Sequence, residues 1–191
     1  MLNFNQLSFW ENETYLSNID YLIIGSGIVG LTTSIELKKQ FPDKKIVILE
    51  RGYLPSGAST KNAGFACIGS ASELLDDLSN SSQVEVWNTV ELRWKGLQRL
   101  RSLLGDSFID FQKQGSFELF RANEKDNFQN CLDHLDTLNK SLKEITGINE
   151  VYSNSKNIIN VQGLIGFTEA ISNAAEGQIN TGFMMSALLH F

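Results

Sequence analysis

Apolar positions divide the chain into segments of different period. Tyr21–Ile24 is an unbroken apolar run with the length and β-branched content of a buried parallel strand. Ile28, Leu31 and Ile35 then recur at helical spacing, Lys38 and Lys39 fall in the last turn, and Pro42-Asp43 ends it. After Lys44-Lys45, a second short apolar run, Ile46–Leu49, predicts another strand and leads directly into Glu50-Arg51-Gly52. Residues 53–72 are rich in Gly, Ser and Ala and run into a short helix over 72–78. Val84, Trp87, Val90, Trp94, Leu97, Leu100 and Leu104 predict a long amphipathic helix over Gln83–Leu104, with Arg93, Lys95, Arg99 and Arg101 on its solvated side. Beyond it, residues 108–112 and Ser116–Phe120 read as two short strands joined by a tight turn. Phe128, Leu132, Leu135, Leu138, Leu142 and Ile145 define one face of a helix over 122–146, and Gly147 is its stop. Val151-Tyr152 and residues 161–167 predict further strands. Thr181 is a candidate cap for a closing helix with Phe183, Met184, Ala187 and Leu188 on its inner face. Residues 1–18, with Phe4, Phe9, Trp10 and Tyr15 among polar neighbours, read as an N-terminal arm packing on the domain surface, with partner contact as the alternative.

Between the first strand and the first helix stands Gly25-Ser26-Gly27-Ile28-Val29-Gly30, a G-x-G-x-x-G turn. Its first glycine permits the tight turn, its second lets backbone approach a pyrophosphate, and its third lets helix pack closely on strand. Free N–H groups and the positive dipole end at the helix start face the phosphates. Glu50 follows Gly30 by 20 residues, where a carboxylate accepts hydrogen bonds from both ribose hydroxyls of an adenosine and repels a 2′-phosphate. Glycine turns alone are common. Here strand, turn, helix, second strand and acid all sit in order, which predicts an adenine dinucleotide site rather than a bare packing turn.

Composition narrows the rest. Hydrophobic content of 42%, charged content of 20% and a formal net charge of −6 over 191 residues fit an ordinary globular chain. No basic cluster suggests nucleic acid or an anionic membrane as partner. No apolar run reaches bilayer length, and residues 1–18 lack the basic and apolar regions of a secretory signal. Cys67 and Cys131 suit reduced thiols, and a cytoplasmic chain is expected. His134 and His190 have no metal-ligand spacing; no metal site is expected, and His134 reads as a boundary residue of its helix. The Trp87/Trp94 pair reads as core packing rather than an aromatic stack for a cofactor.

Residues 55–65 read Pro-Ser-Gly-Ala-Ser-Thr-Lys-Asn-Ala-Gly-Phe. Gly57, Ala58, Ala63 and Gly64 let backbone amides come near a large ligand, with donors from Ser59, Thr60, Lys61 and Asn62 beside it. A polar surface loop is the other reading of that composition. With Gly25 to Gly30, Leu49-Glu50-Arg51-Gly52 and Gly57 to Gly64 in this order, the sequence resembles the FAD-dependent oxidoreductases of the D-amino-acid oxidase, or glycine oxidase, superfamily. Glu176-Gly-Gln-Ile-Asn180 resembles that family's return from substrate domain to cofactor domain, so the likeness runs from about residue 19 to the end.

The resemblance implies an α/β fold in which a Rossmann-like FAD-binding βαβ unit is followed by part of an α+β substrate domain. It divides the chain into a 1–18 arm, an FAD-binding part over 19–80, a partial substrate domain over 81–175 and a return helix over 176–191. It implies non-covalent FAD, with Gly25, Ser26, Gly27, Ile28, Val29 and Gly30 around the pyrophosphate and Glu50 on the adenosine ribose. By the same resemblance Arg51 flanks the adenine, Ser59 and Thr60 approach the pyrophosphate, and Lys61, Asn62, Ala63 and Gly64 run toward the isoalloxazine. The implied substrate is a small-molecule amine or amino acid, oxidised by hydride transfer to flavin. Family members are longer, and the strands they return to the cofactor sheet have no counterpart here. The expectation is therefore a fragment, with a second chain completing the fold as one form of it. No residue is assigned a catalytic role; Lys61 is the one candidate near the flavin, with a phosphate or solvent contact its plainer reading. The alternatives are an NAD-linked dehydrogenase using the same fingerprint and a non-catalytic remnant or subunit.

Overall fold

The structure is a computed structural model describing residues 7–191, so Phe4 of the N-terminal arm lies outside the described residues. The chain divides into two compact units, one of Met1–Ala63 with Asn180–Phe191 and the other of Gly64–Ile179.

In the first unit, α1 (Phe9–Glu11) starts from a capping box between Ser8 and Glu11 and runs into a π-helical turn, Asn12–Leu16. Phe9 and Trp10 meet edge to face at 5.1 Å, yet both rings, and Tyr15, are exposed. The arm is tied by polar contacts instead: Lys45 Nζ donates to the carbonyls of Thr14 (2.8 Å) and Ser17 (2.6 Å). An ammonium thus gathers carbonyls at the end of this short helical stretch and ties it to the unit. β1 (Tyr21–Ile24), α2 (Ile28–Gln40) and β2 (Ile46–Leu49) form a parallel βαβ unit, with Tyr21 opposite Ile46 and Ile24 opposite Leu49. Leu31 and Ile35 of α2 are buried, and the Ile23 side chain lies under Gly30. On the opposite face of the two strands Leu22 is 53% and Ile24 86% exposed. α7 (Thr181–His190) packs on α2 and buries Met184, Met185 and Leu188. Its cap is Asn180, whose side-chain oxygen accepts the Phe183 N–H at 3.0 Å, and not Thr181. Starting one residue earlier than expected leaves Phe183 exposed and puts Met185 inside.

The second unit begins with β3 (Phe65–Ala66), which pairs antiparallel with β7 (Gly177–Gln178). α3 (Ala71–Asn80) and α4 (Gln83–Leu104) follow, each capped by a serine, Ser70 and Ser82. α4 has the expected bounds, but Val86 rather than Val84 enters the core, while Trp87 and Trp94 pack against it. Arg93 is not on a purely solvated side: its guanidinium donates to the Ile68 carbonyl at 3.0 Å and pairs with Glu73 at 3.1 Å. β4 (Ser116–Phe120), α5 (Lys125–Thr146), β5 (Tyr152–Asn154), α6 (Asn157–Val161) and β6 (Glu169–Asn173) complete the unit, with antiparallel strand order β4-β6-β5.

Two expected strands are absent. Residues 108–112 form a turn in which Asp110 takes φ 48° and Ile109 is fully buried; only Gln112 makes a bridge, to Gln178. Residues 161–167 leave α6 through Gly163 and Gly166 at φ 62° and 88°, conformations that break a strand. The strand forms just after them, where Ala170 and Ile171 of β6 are buried at the sheet centre. Gly147 ends α5 in the left-handed conformation, as its place after the apolar stripe predicts.

α5 is stitched to β5 by one side chain. Asn139 Oδ1 accepts the N–H groups of Val151 (3.0 Å) and Tyr152 (2.8 Å), and its Nδ2 donates to the Tyr152 carbonyl at 2.8 Å. Val151 and Tyr152 are buried, so no water can replace these partners cheaply. Asn139→Ala is expected to destabilise this unit by about 2–4 kcal/mol, the cost of several unpaired buried backbone groups. Urea unfolding followed by Trp87 and Trp94 fluorescence checks this, with exposed Lys113→Ala within about 0.5 kcal/mol of wild type as reference.

Candidate functional site

The steric logic of the glycine turn is visible atom by atom. Gly25 takes φ +92°, and its N–H donates to the Leu49 carbonyl at 2.7 Å, locking the end of β1 to β2. A Cβ on Gly30 would lie 2.0 Å from the Gly25 carbonyl oxygen, so α2 can sit this close to the turn only with glycine there. A Cβ on Gly27 would stand 3.2 Å from Ser59 Oγ. Gly27 is the N-cap of α2 and has no side chain to cap with; Ser59 Oγ accepts the Ile28 N–H instead, at 3.0 Å. A hydroxyl therefore sits at the positive end of α2, able to donate its own proton onward to an anion.

Parallel register places Glu50 beside this turn. Its Oε2 accepts both the backbone N–H and the hydroxyl of Ser26, each at 2.9 Å, and its Oε1 accepts the Gly52 N–H at 2.9 Å. The amides of Gly52 and Ser26, with the Ser26 hydroxyl, lower the Glu50 carboxyl from its ordinary 4.5 to about 2. Glu50 is exposed, so this anion faces solvent in a fixed orientation. A helix N-terminus with glycine at its N-cap, next to a held carboxylate, suits a ligand with a diphosphate at one point and paired hydroxyls at another. These residues fit an adenine dinucleotide.

The other expected residues divide. Gly25, Ser26, Gly27, Ile28, Glu50 and Ser59 come together as described. Thr60 and Asn62 spend their side chains on the loop itself: Thr60 Oγ1 donates to the Pro55 carbonyl (3.1 Å), and Asn62 Nδ2 to those of Ala58 (2.9 Å) and Ser59 (3.1 Å). Thr181 Oγ1 donates to the Thr60 carbonyl at 3.2 Å, pinning the loop to α7, a contact with no sequence signature. Arg51, Lys61 and Ala63 are exposed. Gly64, at φ +77°, begins the second unit, where its carbonyl accepts the Ile179 N–H.

The second unit has its own polar centre. Glu176, only 6% exposed, accepts the N–H groups of Ile68 (2.9 Å) and Gly69 (3.1 Å) and the Ser116 hydroxyl (2.5 Å). The Gly69 carbonyl in turn accepts Tyr152 Oη–H (2.5 Å) and Asn173 Nδ2–H (3.1 Å). A cavity of about 270 Å³ borders these groups, with Phe65, Cys67 and Glu118 also on its wall. Burial, then the Glu176 carboxylate, push the Cys67 thiol up, so near neutral pH it is a thiol and not a nucleophilic thiolate.

No curated protein matches the chain in sequence. Among solved structures, glycine oxidase from Bacillus cereus is similar at 18% identity and TM-score 0.58, over 90% of this chain and 43% of that one. L-amino acid deaminase from Proteus vulgaris gives 20% and 0.57 over 91% and 38%, and L-alpha-glycerophosphate oxidase from Mycoplasma pneumoniae, with FAD bound, gives 18% and 0.57 over 88% and 41%. At these identities the likeness speaks for the fold: a Rossmann-like βαβ unit followed by part of an α+β domain. The chain spans about two fifths of the length of these structures. Among the described residues no helix is long and apolar enough to cross a membrane. Residues 20–190 match the sequence model of the DAO family, described as FAD dependent oxidoreductase, and the chain belongs to that family.

Proposed function

We propose that the first unit binds FAD non-covalently through Gly25 to Gly30, Glu50 and the 57–62 loop, and that the protein oxidises an amino acid or amine. The observation that carries this reading is the Glu50 carboxylate, held by Ser26 and Gly52 at the end of β2 beside a helix start whose N-cap is glycine. FAD, when bound, accepts a hydride from the carbon bearing the amine. The protein's part is positioning: Glu50 takes the adenosine ribose hydroxyls, while Ser59 and the first amides of α2 take the diphosphate charge. Arg51 would flank the adenine, and Lys61, Asn62, Ala63 and Gly64 would lead toward the isoalloxazine. Glycine oxidase and L-amino acid deaminase among the structural neighbours support the substrate class. With its thiol protonated, Cys67 is poorly suited to covalent flavin attachment.

A second reading rests on the exposed Leu22 and Ile24 face of β1–β2: catalysis requires further polypeptide, in the same chain or another, packed on that face. Parallel sheets bury both faces, and this one covers a single face with α2.

The purified chain mixed with FAD and passed through gel filtration is expected to retain a visible flavin band; a folded protein without one overturns the proposal. Anaerobic bleaching by a member of an amino-acid and amine panel then supports the first reading, and retained but unbleached flavin the second. Gly30→Ala is expected to lose the band and to lower stability by about 1–3 kcal/mol, because its Cβ has no room against the Gly25 carbonyl.

The Glu50 carboxyl, observed by carbon-detected NMR, is expected to titrate at about 2 rather than 4.5. Its folded value is depressed, so its ordering of the turn is fully present above the ordinary value and is lost as pH falls through the folded one. FAD affinity between about pH 8 and about pH 5 is then expected to show no titration from this residue.

A further inference from the structure

We propose that Ser26 is a positioning residue for the adenosine ribose, acting through Glu50; this rests on the FAD reading above. The observation is the double contact of one residue with one oxygen: Ser26 N–H and Ser26 Oγ–H both donate to Glu50 Oε2 at 2.9 Å, while Gly52 N–H takes Oε1. Ser26 is buried, at 6% exposure, whereas the carboxylate it holds is exposed. Held by Ser26 on one oxygen and by Gly52 N–H on the other, the exposed Glu50 side chain has its direction set before any ligand arrives.

Acceptor counting sharpens the role. A carboxylate has about four lone-pair sites, and the chain's own donors fill three of them. Two ribose hydroxyls need two. The two amides are fixed by the backbone of the turn, and only the Ser26 hydroxyl rotates freely. Ser26 Oγ–H therefore occupies the place of one ribose hydroxyl while the site is free, and it swings aside when the ribose arrives. Ala at this position keeps the amide clamp but leaves Glu50 less firmly aimed; it cannot stand in for the sugar. The preorganising part outweighs the competing one, because the displaced hydroxyl regains a partner in solvent or ligand, while an unaimed side chain must be ordered during binding.

A double-mutant cycle read by flavin fluorescence quenching tests this, using FAD as ligand and wild type, Ser26→Ala, Glu50→Ala and the double variant. Ser26→Ala is expected to weaken FAD binding by up to about tenfold when Glu50 is present, the cost of ordering one rotamer-rich side chain during binding. In the Glu50→Ala background the same change is expected to alter affinity by less than about twofold, which marks an effect passing through the carboxylate. Equal losses in both backgrounds would assign Ser26 to the shape of the turn and overturn the proposal, as would loss of the fold in Ser26→Ala seen by circular dichroism. A wild-type chain that binds FAD alongside an unaffected Ser26→Ala overturns this inference alone. A folded wild-type chain that retains no FAD overturns the function proposed above and this role with it.

Discussion

The Gly25 carbonyl oxygen lies where Gly30 would carry its Cβ, and the architecture of the first unit follows from that approach. It brings the axis of α2 onto the end of β1, so that the first amides of the helix open directly beyond the strand. It also lets Ile23 reach the helix and bury that face of the sheet. Because β1 and β2 run parallel with Ile24 opposite Leu49, the residue after β2 falls next to the same turn. Glu50 thus meets Ser26 across 24 residues of sequence as a consequence of register, with no special loop needed. The glycine-capped helix start and the acid beside it are two outcomes of one steric contact.

That is also why this part of the chain was readable in advance. The glycine spacing and the acid report contacts that only glycine, or only a carboxylate at the strand end, can make. The failures have equally physical causes. Residues 108–112 alternate like a strand, but Ile109 is an anchor beneath a turn, and Asp110 takes a left-handed conformation that no period reveals. The 161–167 run is apolar yet stays at the surface between two left-handed glycines, while less apolar Glu169–Asn173 takes the sheet centre. Asn180 and Thr181 are both good caps, and one residue of slip exchanged Phe183 for Met185 inside the unit. In the site, Ser26 and Ser59 stood among the expected contacts, but not as clamp and surrogate cap. A small polar residue in a turn carries no signal of which partner it will find.

The second unit is organised around a different device. Glu176, just before β7, holds two amides of the segment after β3 and a hydroxyl of β4. A charge so deeply buried is tolerated because neutral donors fill its acceptors, the same solution Glu50 uses at the surface. Its resemblance-based reading, as part of a return segment, concerned topology. The structure adds that the return is tied by a carboxylate, and that Tyr152 and Asn173 converge on the same Gly69 carbonyl. Side chains of β5 and β6, far along the chain from it, therefore fix the short segment that leads from β3 into α3.

Local competence and global completeness are separable in the first unit. The contacts that make a dinucleotide site all lie within the βαβ unit, its following loop and the start of α7, on the side of the sheet ends. None of them depends on the face that carries Leu22 and Ile24. That exposed pair opposes Val47 and Leu49 in the parallel register, so four aliphatic side chains share one uncovered surface on two four-residue strands. Burying such a face stabilises a fold by about 25 cal/mol per Å² of apolar area removed from water, and leaving it open forgoes that. The geometry of the turn and of Glu50 is thus set by short-range sterics that do not involve the uncovered face. Were the first unit to hold FAD as proposed, catalysis, which needs reacting atoms aligned more strictly than binding does, is the function an uncovered face would limit first.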